Sequence, residues 1–348
     1  MLRLLREQEE KAQRVLRPEV HDYYAGGTGE ETTVAENTRA WRTFSLRPRV
    51  LQDVAQVSTH TSVLGAALGA PVLVAPTALH GLAHPEAEAE TARGVAAAQS
   101  LLVLSTRSSL PLEQVAAALG DAPWWLQVYV LRNRSLTRGL VQRAAAAGAR
   151  ALLLTGDTPY VGVRARPGAD LAAAALRIAT IAAHTRSGEV DPVGFEQDAS
   201  ATLDVIGELA SLSGLPVLVK GVLRGDDAAA CLDAGAAGVV VSNHGGRQLD
   251  RAVATAYALG EVVSAVGGRA PVLVDGGVRS GLDVLVALAL GADAVLLGRP
   301  VLWALASGGA EGVRSCLDAV RTDLAHVLAL AGARSPRDLP EGLLMPRT

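Results

Sequence analysis

The sequence predicts an α/β chain folded as a (β/α)8 TIM barrel behind an N-terminal helical extension. Three observations carry that reading. Eight short, continuously apolar runs recur over about 260 residues, which suits the size of such a barrel. Each run is followed by helical periodicity, and unbroken apolarity marks strands buried on both faces. Polar or glycine residues stand after every run, at the ends where a barrel keeps its chemistry.

In chain order, residues 1–20 read as one amphipathic helix. HDYYAGGTGEE (21–31) follows with paired tyrosines and a glycine turn, then a helix over 31–41 and a loop holding RPRVL (47–51). The strands are then 71–75, 101–105, 124–129, 151–155, 216–219, 238–242, 271–274 and 294–297. Helices over 86–98, 112–119, 135–147, 202–212, 226–234, 252–266, 281–290 and 301–329 alternate with them, the last broken at Gly308–Gly309. An "AGA" or "GA" before several strands stops a helix and feeds the next strand. Periodicity weakens over 163–201. The chain therefore divides into a cover segment (1–70), a barrel (71–330) and an active-site loop (165–200) within one domain spanning 1–348. A doubly wound sheet is the weaker alternative, because no strand–GxGxxG–helix fingerprint opens the chain.

Composition narrows the function. Apolar residues make up 49% of 348, enough for a large core, and aromatics only 3%. A net charge of -3 argues against a broad nucleic-acid surface. Two cysteines, Cys231 and Cys316, cannot build a disulfide framework or a Cys-rich zinc site, and they read as small core residues. His80 and His84 lack a matching ligand set, so no metal is expected. No apolar run is long enough to span a bilayer. The first residues, MLRLLREQEEKAQR, lack the apolar core of a signal peptide. These features predict a soluble cytoplasmic protein without nucleic-acid or membrane partners.

The strand ends carry the chemistry. They hold Pro76-Thr77-Ala78, Ser105-Thr106, Gln127 and Tyr129, Thr155 and Asp157, Lys220, Ser242 to Arg247, Asp275 to Arg279, and Gly298-Arg299. DGGVRSG (275–281) and GRP (298–300) are glycine-rich and open helices, whose free N–H groups attract anions; Arg279 and Arg299 add charge, so a phosphate site is expected. Lys220 ends an apolar strand and must meet a partner or a ligand. With hydrogen-bonding groups at Thr77, Ser105, Gln127 and Thr155 it suits a flat redox ring that becomes anionic. His244 is the acid–base candidate, Asp157 its orienting carboxylate, and Arg247 a two-pronged carboxylate grip. Taken singly, each hydroxyl is an ordinary cap and the histidine an ordinary loop residue; the reading rests on their grouping. Trp124-Trp125 is expected to pack helix against barrel.

These residues resemble the FMN-dependent 2-hydroxy-acid oxidases and dehydrogenases, the family of glycolate oxidase, lactate oxidase and mandelate dehydrogenase. The resemblance runs from about Tyr23 to Gly332 through DYYAGG, RPRVL, APTA with AHPEAE, QVYV, TGDTP, LVKGV, VSNHGGRQLD, LVDGGVRSG and LLGRP. It implies FMN at the carboxyl end of the barrel. Thr77, Ala78, Ser105, Gln127, Thr155, Lys220 and Ser242 would hold the ring. Asp275, Gly276, Gly277, Arg279, Gly298 and Arg299 would hold ribityl and phosphate. Tyr23, Arg164 and Arg247 would bind a substrate carboxylate, Tyr129 its hydroxyl, and His244 with Asp157 would take a proton; Tyr24 would be structural. The implied reaction turns an (S)-2-hydroxy acid into a 2-oxo acid, with O2 as acceptor, hydrogen peroxide as by-product and a homo-oligomer, commonly a tetramer, as the working form. A quinone- or protein-linked dehydrogenase is the alternative, with an FMN-barrel isomerase or a non-enzymatic flavin-binding protein more remote. The short, Ala-rich segment after Arg164 departs from the long charged loop of many relatives. Arg107 stands where several relatives have an aromatic, and two readings stay open there: contact with a second anionic group of a larger substrate, or solvent. Leu79 and Tyr160 are expected to shape the side-chain pocket.

Overall fold

The computed structural model describes residues 2–166 and 193–346. Eight parallel strands close into a barrel: Val72–Val74, Leu102–Leu104, Trp124–Val128, Leu152–Thr155, Val217–Val222, Gly238–Val241, Val272–Val274 and Ala294–Leu297, the eighth pairing with the first. The expected strands are all present. Glycines 148, 235 and 291 in the AGA or GA stops sit at φ of 86°, 95° and 100°, the left-handed conformation that ends a helix without a Cβ penalty.

Side chains alternate along each strand. Val72, Val74, Leu126, Val128, Val239 and Val241 face outward into the large core between barrel and helices. Leu73, Val103, Trp125, Leu153, Leu218, Val240, Leu273 and Leu296 face inward and fill the barrel. The tryptophan pair is thus split by the pleat. Trp124 packs outward as expected, but Trp125 is a fully buried barrel residue, correcting its expected place against a helix. Two residues further along the same inward faces lie Ala75, Ser105, Gln127, Thr155, Lys220, Ser242, Asp275 and Gly298. Period-two alternation alone therefore puts the polar strand ends on one ring.

A hairpin, Thr61–Val63 with Ala66–Leu68, contributes Val63, Ala66 and Leu68 to the inner cluster and so packs into the barrel interior. Residues 1–20 are not one helix. Leu2–Val15 and Pro18–Ala25 are separate, because proline disfavours helical backbone in the residue before it and suits the first turn of a new helix. Tyr23 and Tyr24 lie at the end of the second helix, just before the glycines 26 and 27. A third helix, Thr32–Ala40, has its first turn capped from afar: Asp250 accepts from Thr33 N at 3.0 Å and Glu30 N at 2.9 Å. The closing helix Arg299–Ala331 contains the expected break, with non-helical backbone at Gly308 and Gly309. The expected active-site loop over 165–200 falls mostly outside the described residues.

Candidate active site

The inward polar residues open into one cavity at the carboxyl end of the barrel. Of the residues expected to serve catalysis, carboxylate binding or FMN binding, all but Asp157 and Ser242 line it. Those two stand directly behind lining residues. Asp157 Oδ1 pairs with His244 Nδ1 at 3.0 Å, and Ser242 Oγ accepts from Lys220 Nζ at 2.7 Å and from His244 N at 3.1 Å.

One side of the ring is a neutral hydrogen-bond chain. Gln127 Oε1 accepts from Thr106 N at 3.0 Å and Ser105 Oγ at 3.3 Å, while its Nε2 donates to Thr155 Oγ1 at 2.9 Å. The amide is thereby oriented and buried. Next to it stands Lys220, 4% exposed, ion-paired with Asp275 Oδ2 at 3.0 Å. Burial opposes its charge, but Asp275 and Asp157 outweigh that, and its pKa lies above the ordinary value. Asp275 Oδ1 is buried without a partner. The register shifts between Lys220 and Val222, a bulge beside the site. Gly221 within it has φ 105°, and a Cβ there would come within 2.5 Å of Asp157 Cβ. Glycine is what lets Asp157 reach the neighbouring histidine.

His244 follows the sixth strand with its own backbone in the left-handed region, φ 57°. Burial is the main influence on its ring and holds its pKa below 6.5, with Asp157 pulling the other way. Burial also disfavours ionised Asp157, but His244 and Lys220 together hold its pKa below the ordinary value. The pair is accordingly a carboxylate and a neutral imidazole. Nδ1 donates to Asp157, which leaves Nε2 as the free acceptor.

The remaining lining is strongly cationic. Arg247 lies over the Tyr23 ring at 5.2 Å and donates through Nη1 to Tyr23 O at 2.8 Å and Gly26 O at 2.9 Å. Arg164 donates through Nη1 to Arg247 O at 2.7 Å; burial first, and then Arg247, push its pKa down to about 10. Arg279 spends one donor on Val278 O. Ser280 caps the helix Gly281–Ala289 by accepting from Asp283 N, and Asp283 accepts from Arg279 N in return. Arg299 uses three donors on Tyr24 O, Gly245 O and Gly26 O, so it fastens the N-terminal segment to the sixth-strand loop as well as facing the cavity. Burial and then the charges of Arg247 and Arg279 lower its pKa to about 9. None of these four arginines makes an ion pair among the described residues.

Several participants had no site role in the sequence reading. Asn37 and Asn243 exchange amide hydrogen bonds of 2.8 and 2.7 Å and lock the third helix to the His244 loop. His80, buried, joins Thr77 Oγ1 (2.6 Å) to Thr91 Oγ1 (2.8 Å) and so braces Thr77 from behind. Tyr24 lines the cavity while donating to Leu79 O at 2.6 Å, a structural tie as expected. Leu302 and Val278 also line it. Leu79 and Tyr160 do not: Leu79 is buried beneath, and Tyr160 is 74% exposed. Asn37 lies within a helix and Asn243 in a polar loop, and a partner 206 positions away leaves no local signal. Among the described residues no group of His, Cys, Asp and Glu could hold a metal, and both cysteines are free and buried.

Comparison with known proteins agrees with this geometry. The family model described as FMN-dependent dehydrogenase matches residues 12–346. An L-lactate oxidase of Nostoc sp. is 44% identical, with 97% of this chain and 96% of that protein covered. A 4-hydroxymandelate oxidase of Amycolatopsis orientalis is 42% identical, covering 94% of each. A solved lactate oxidase of Pediococcus acidilactici superposes with a TM-score of 0.92 at 35% identity, over 98% of this chain and 94% of that one. A match of this extent, over a barrel whose polar ring converges on one cationic cavity, shows that the chain belongs to the FMN-dependent dehydrogenase family of oxidoreductases.

Proposed function

We propose that the protein oxidises a small (S)-2-hydroxy acid to the 2-oxo acid, with dioxygen as the final acceptor. One observation carries the reading. A neutral imidazole backed by a carboxylate, His244 with Asp157 at 3.0 Å, shares a cavity with Arg164 and Arg247, neither of which is ion-paired among the described residues. A base beside a carboxylate receptor is what a 2-hydroxy acid requires.

The cavity also fits FMN on its own donor set. Arg279 and Arg299 stand beside two helix starts without an ion pair among the described residues, as a phosphate needs. The unpartnered Asp275 Oδ1 suits a ribityl hydroxyl. In this reading Asp275, Gly276, Gly277, Arg279, Gly298 and Arg299 hold ribityl and phosphate. Thr77, Ala78, Ser105, Gln127, Thr155 and Lys220 hold the ring, with Ser242 acting through Lys220. The chemistry FMN supplies when bound is acceptance of two electrons and their return to dioxygen as hydrogen peroxide.

The chain's own residues do the rest. Arg247 and Arg164, with Tyr23, grip the carboxylate and fix the 2-carbon in the cavity. Burial raises the pKa of Tyr129 and keeps its phenol neutral, so it can donate to or accept from the substrate hydroxyl. Oxidation of CH–OH to C=O releases two electrons and two protons; His244 Nε2 takes one proton, and the other would leave with the electrons to the FMN held in the cavity. The imidazolium so formed is stabilised by Asp157, and Lys220 places a fixed positive charge beside the electron acceptor.

We also take the working form to be a homo-oligomer, a tetramer, in the cytoplasm. Exposed Leu249, Val253 and Tyr257, close together in sequence, support association. Two free buried thiols suit a reducing compartment. Anaerobic addition of (S)-2-hydroxy acids to the FMN-loaded protein tests the reaction. The flavin band should bleach, and admitting air should restore it with one peroxide per turnover. Absence of bleaching with every 2-hydroxy acid tried would overturn the reading, and bleaching without peroxide would replace oxygen by another acceptor.

A further inference from the structure

We infer that Arg107 makes this site select 2-hydroxy acids that carry a second carboxylate. This rests on the proposed oxidation and names its substrate class. Arg107 lines the cavity two residues beyond Ser105, at the end of the second strand. Its backbone is fixed from both sides, with its N–H donating to Ser105 Oγ at 3.0 Å and its carbonyl accepting from Leu79 N at 3.0 Å. Its guanidinium lies over the Tyr129 ring, 5.1 Å from the centroid. That contact aims the cation and leaves its N–H donors unspent. Among the described residues the guanidinium makes no ion pair and no hydrogen bond.

Position and charge point the same way. In a closed ring of eight, the second strand stands four places from the sixth. Arg107 therefore faces the Arg247 loop from the opposite side of the barrel mouth, with Tyr129 on the adjoining strand. A substrate gripped by Arg247 at one end would extend toward Arg107 at the other. The cavity has five arginines and Lys220 against Asp275, with Asp157 behind His244, an excess of four positive charges. Phosphate brings close to two negative charges and one substrate carboxylate a third. A second carboxylate closes the balance, and Arg107 is the cation that the phosphate and 2-hydroxy-acid ends leave unused.

The test compares two substrates of nearly one shape and different charge, (S)-2-hydroxyglutarate and its distal amide, on the FMN-loaded protein. The ratio of kcat/KM should favour the dicarboxylate on the order of 10- to 100-fold, the range of a charge-assisted hydrogen bond. Arg107→Met should collapse that ratio toward one, and Arg107→Lys should keep part of it. Flavin content and spectrum report whether each variant is folded. If the wild type treats both substrates alike, or if Arg107→Met leaves the ratio standing, the inference is overturned. Oxidation of monocarboxylates with no preference for the dianion would sink this inference and leave the proposed reaction intact. Failure of every 2-hydroxy acid to bleach the flavin would remove both.

Discussion

The His244 imidazole is held by a left-handed backbone, a carboxylate at 3.0 Å and a buried setting. A non-glycine residue in that conformation costs on the order of 1–3 kcal/mol and persists where the surroundings dictate it. Here Ser242 Oγ accepts its N–H, and Asp157 takes its ring. Replacing His244 by Ala should leave a folded, yellow protein whose anaerobic bleaching is roughly 10²- to 10⁴-fold slower, the usual worth of a positioned base. Stopped-flow reduction checks this, and near-normal rates would remove His244 from the reaction. The pH dependence follows from the same environment. The neutral ring is the active form and its pKa lies below 6.5, so kcat/KM should rise with pH on an acid limb centred below 6.5 and be level above it. In Asp157→Asn the limb should move lower still, because the charge that favours the imidazolium is gone, and the rate should fall with it. A limb at or above 6.5 in the wild type would contradict the burial of the ring. These residues were legible through their grouping, because polar side chains recur at the ends of eight continuously apolar strands although each is ordinary when taken singly. The roles of Asn243 and Asp250 were not, since each works through a partner on the third helix, 206 and 217 residues away.

Among elements, the third helix matters more than its length implies. It reaches the site through the Asn37–Asn243 amide pair, and Trp41 just beyond it donates to Gly276 O at 2.8 Å. Gly277 makes room for that approach. A Cβ there would sit 2.0 Å from Asn37 O, at a φ of 82° that side chains avoid. Gly277→Ala should therefore push the helix off the seventh strand and lower FMN affinity by at least tenfold, as read by flavin titration of the apoprotein. Asn37→Ala leaves Asn243 buried with one amide donor unmatched, the other still held by Val253 O, and should cost about 1–3 kcal/mol in urea unfolding, with kcat changing far less. Unchanged midpoints would show that the amide pair is dispensable. The barrel strands could be read directly, because burial on both faces leaves an unmistakable apolar run. The hairpin over Thr61–Leu68 could not, since its strands are three residues long and one residue in each faces outward. The split of the first helix was visible in Pro18, and the second helix it starts carries the tyrosine pair at its end.

For the whole molecule, the cationic cavity sets a dependence on anions. Without FMN, the arginines around the mouth face one another, as the lowered pKa values of Arg164 and Arg299 record. Phosphate should therefore raise the Tm of the apoprotein more than sodium chloride at equal ionic strength, with ~1.4 kcal/mol gained at ten times its dissociation constant. Equal effects of the two salts would mean that the mouth has no anion site. Finally, the ties that complete the mouth span the chain: hydrogen bonds from the Tyr23–Trp41 stretch reach partners 206 to 275 residues later. Contacts of such sequence separation are costly in loop entropy and slow to form. During synthesis the segment holding Tyr24 and Trp41, both destined for burial, must wait without its docking surface until residues near 299 have emerged. The ring of strands closes at nearly the same point, when Ala294–Leu297 can pair with Val72–Val74, so the N-terminal helices stay undocked until barrel and mouth are finished together, a wait that leaves apolar surface open to a holding chaperone.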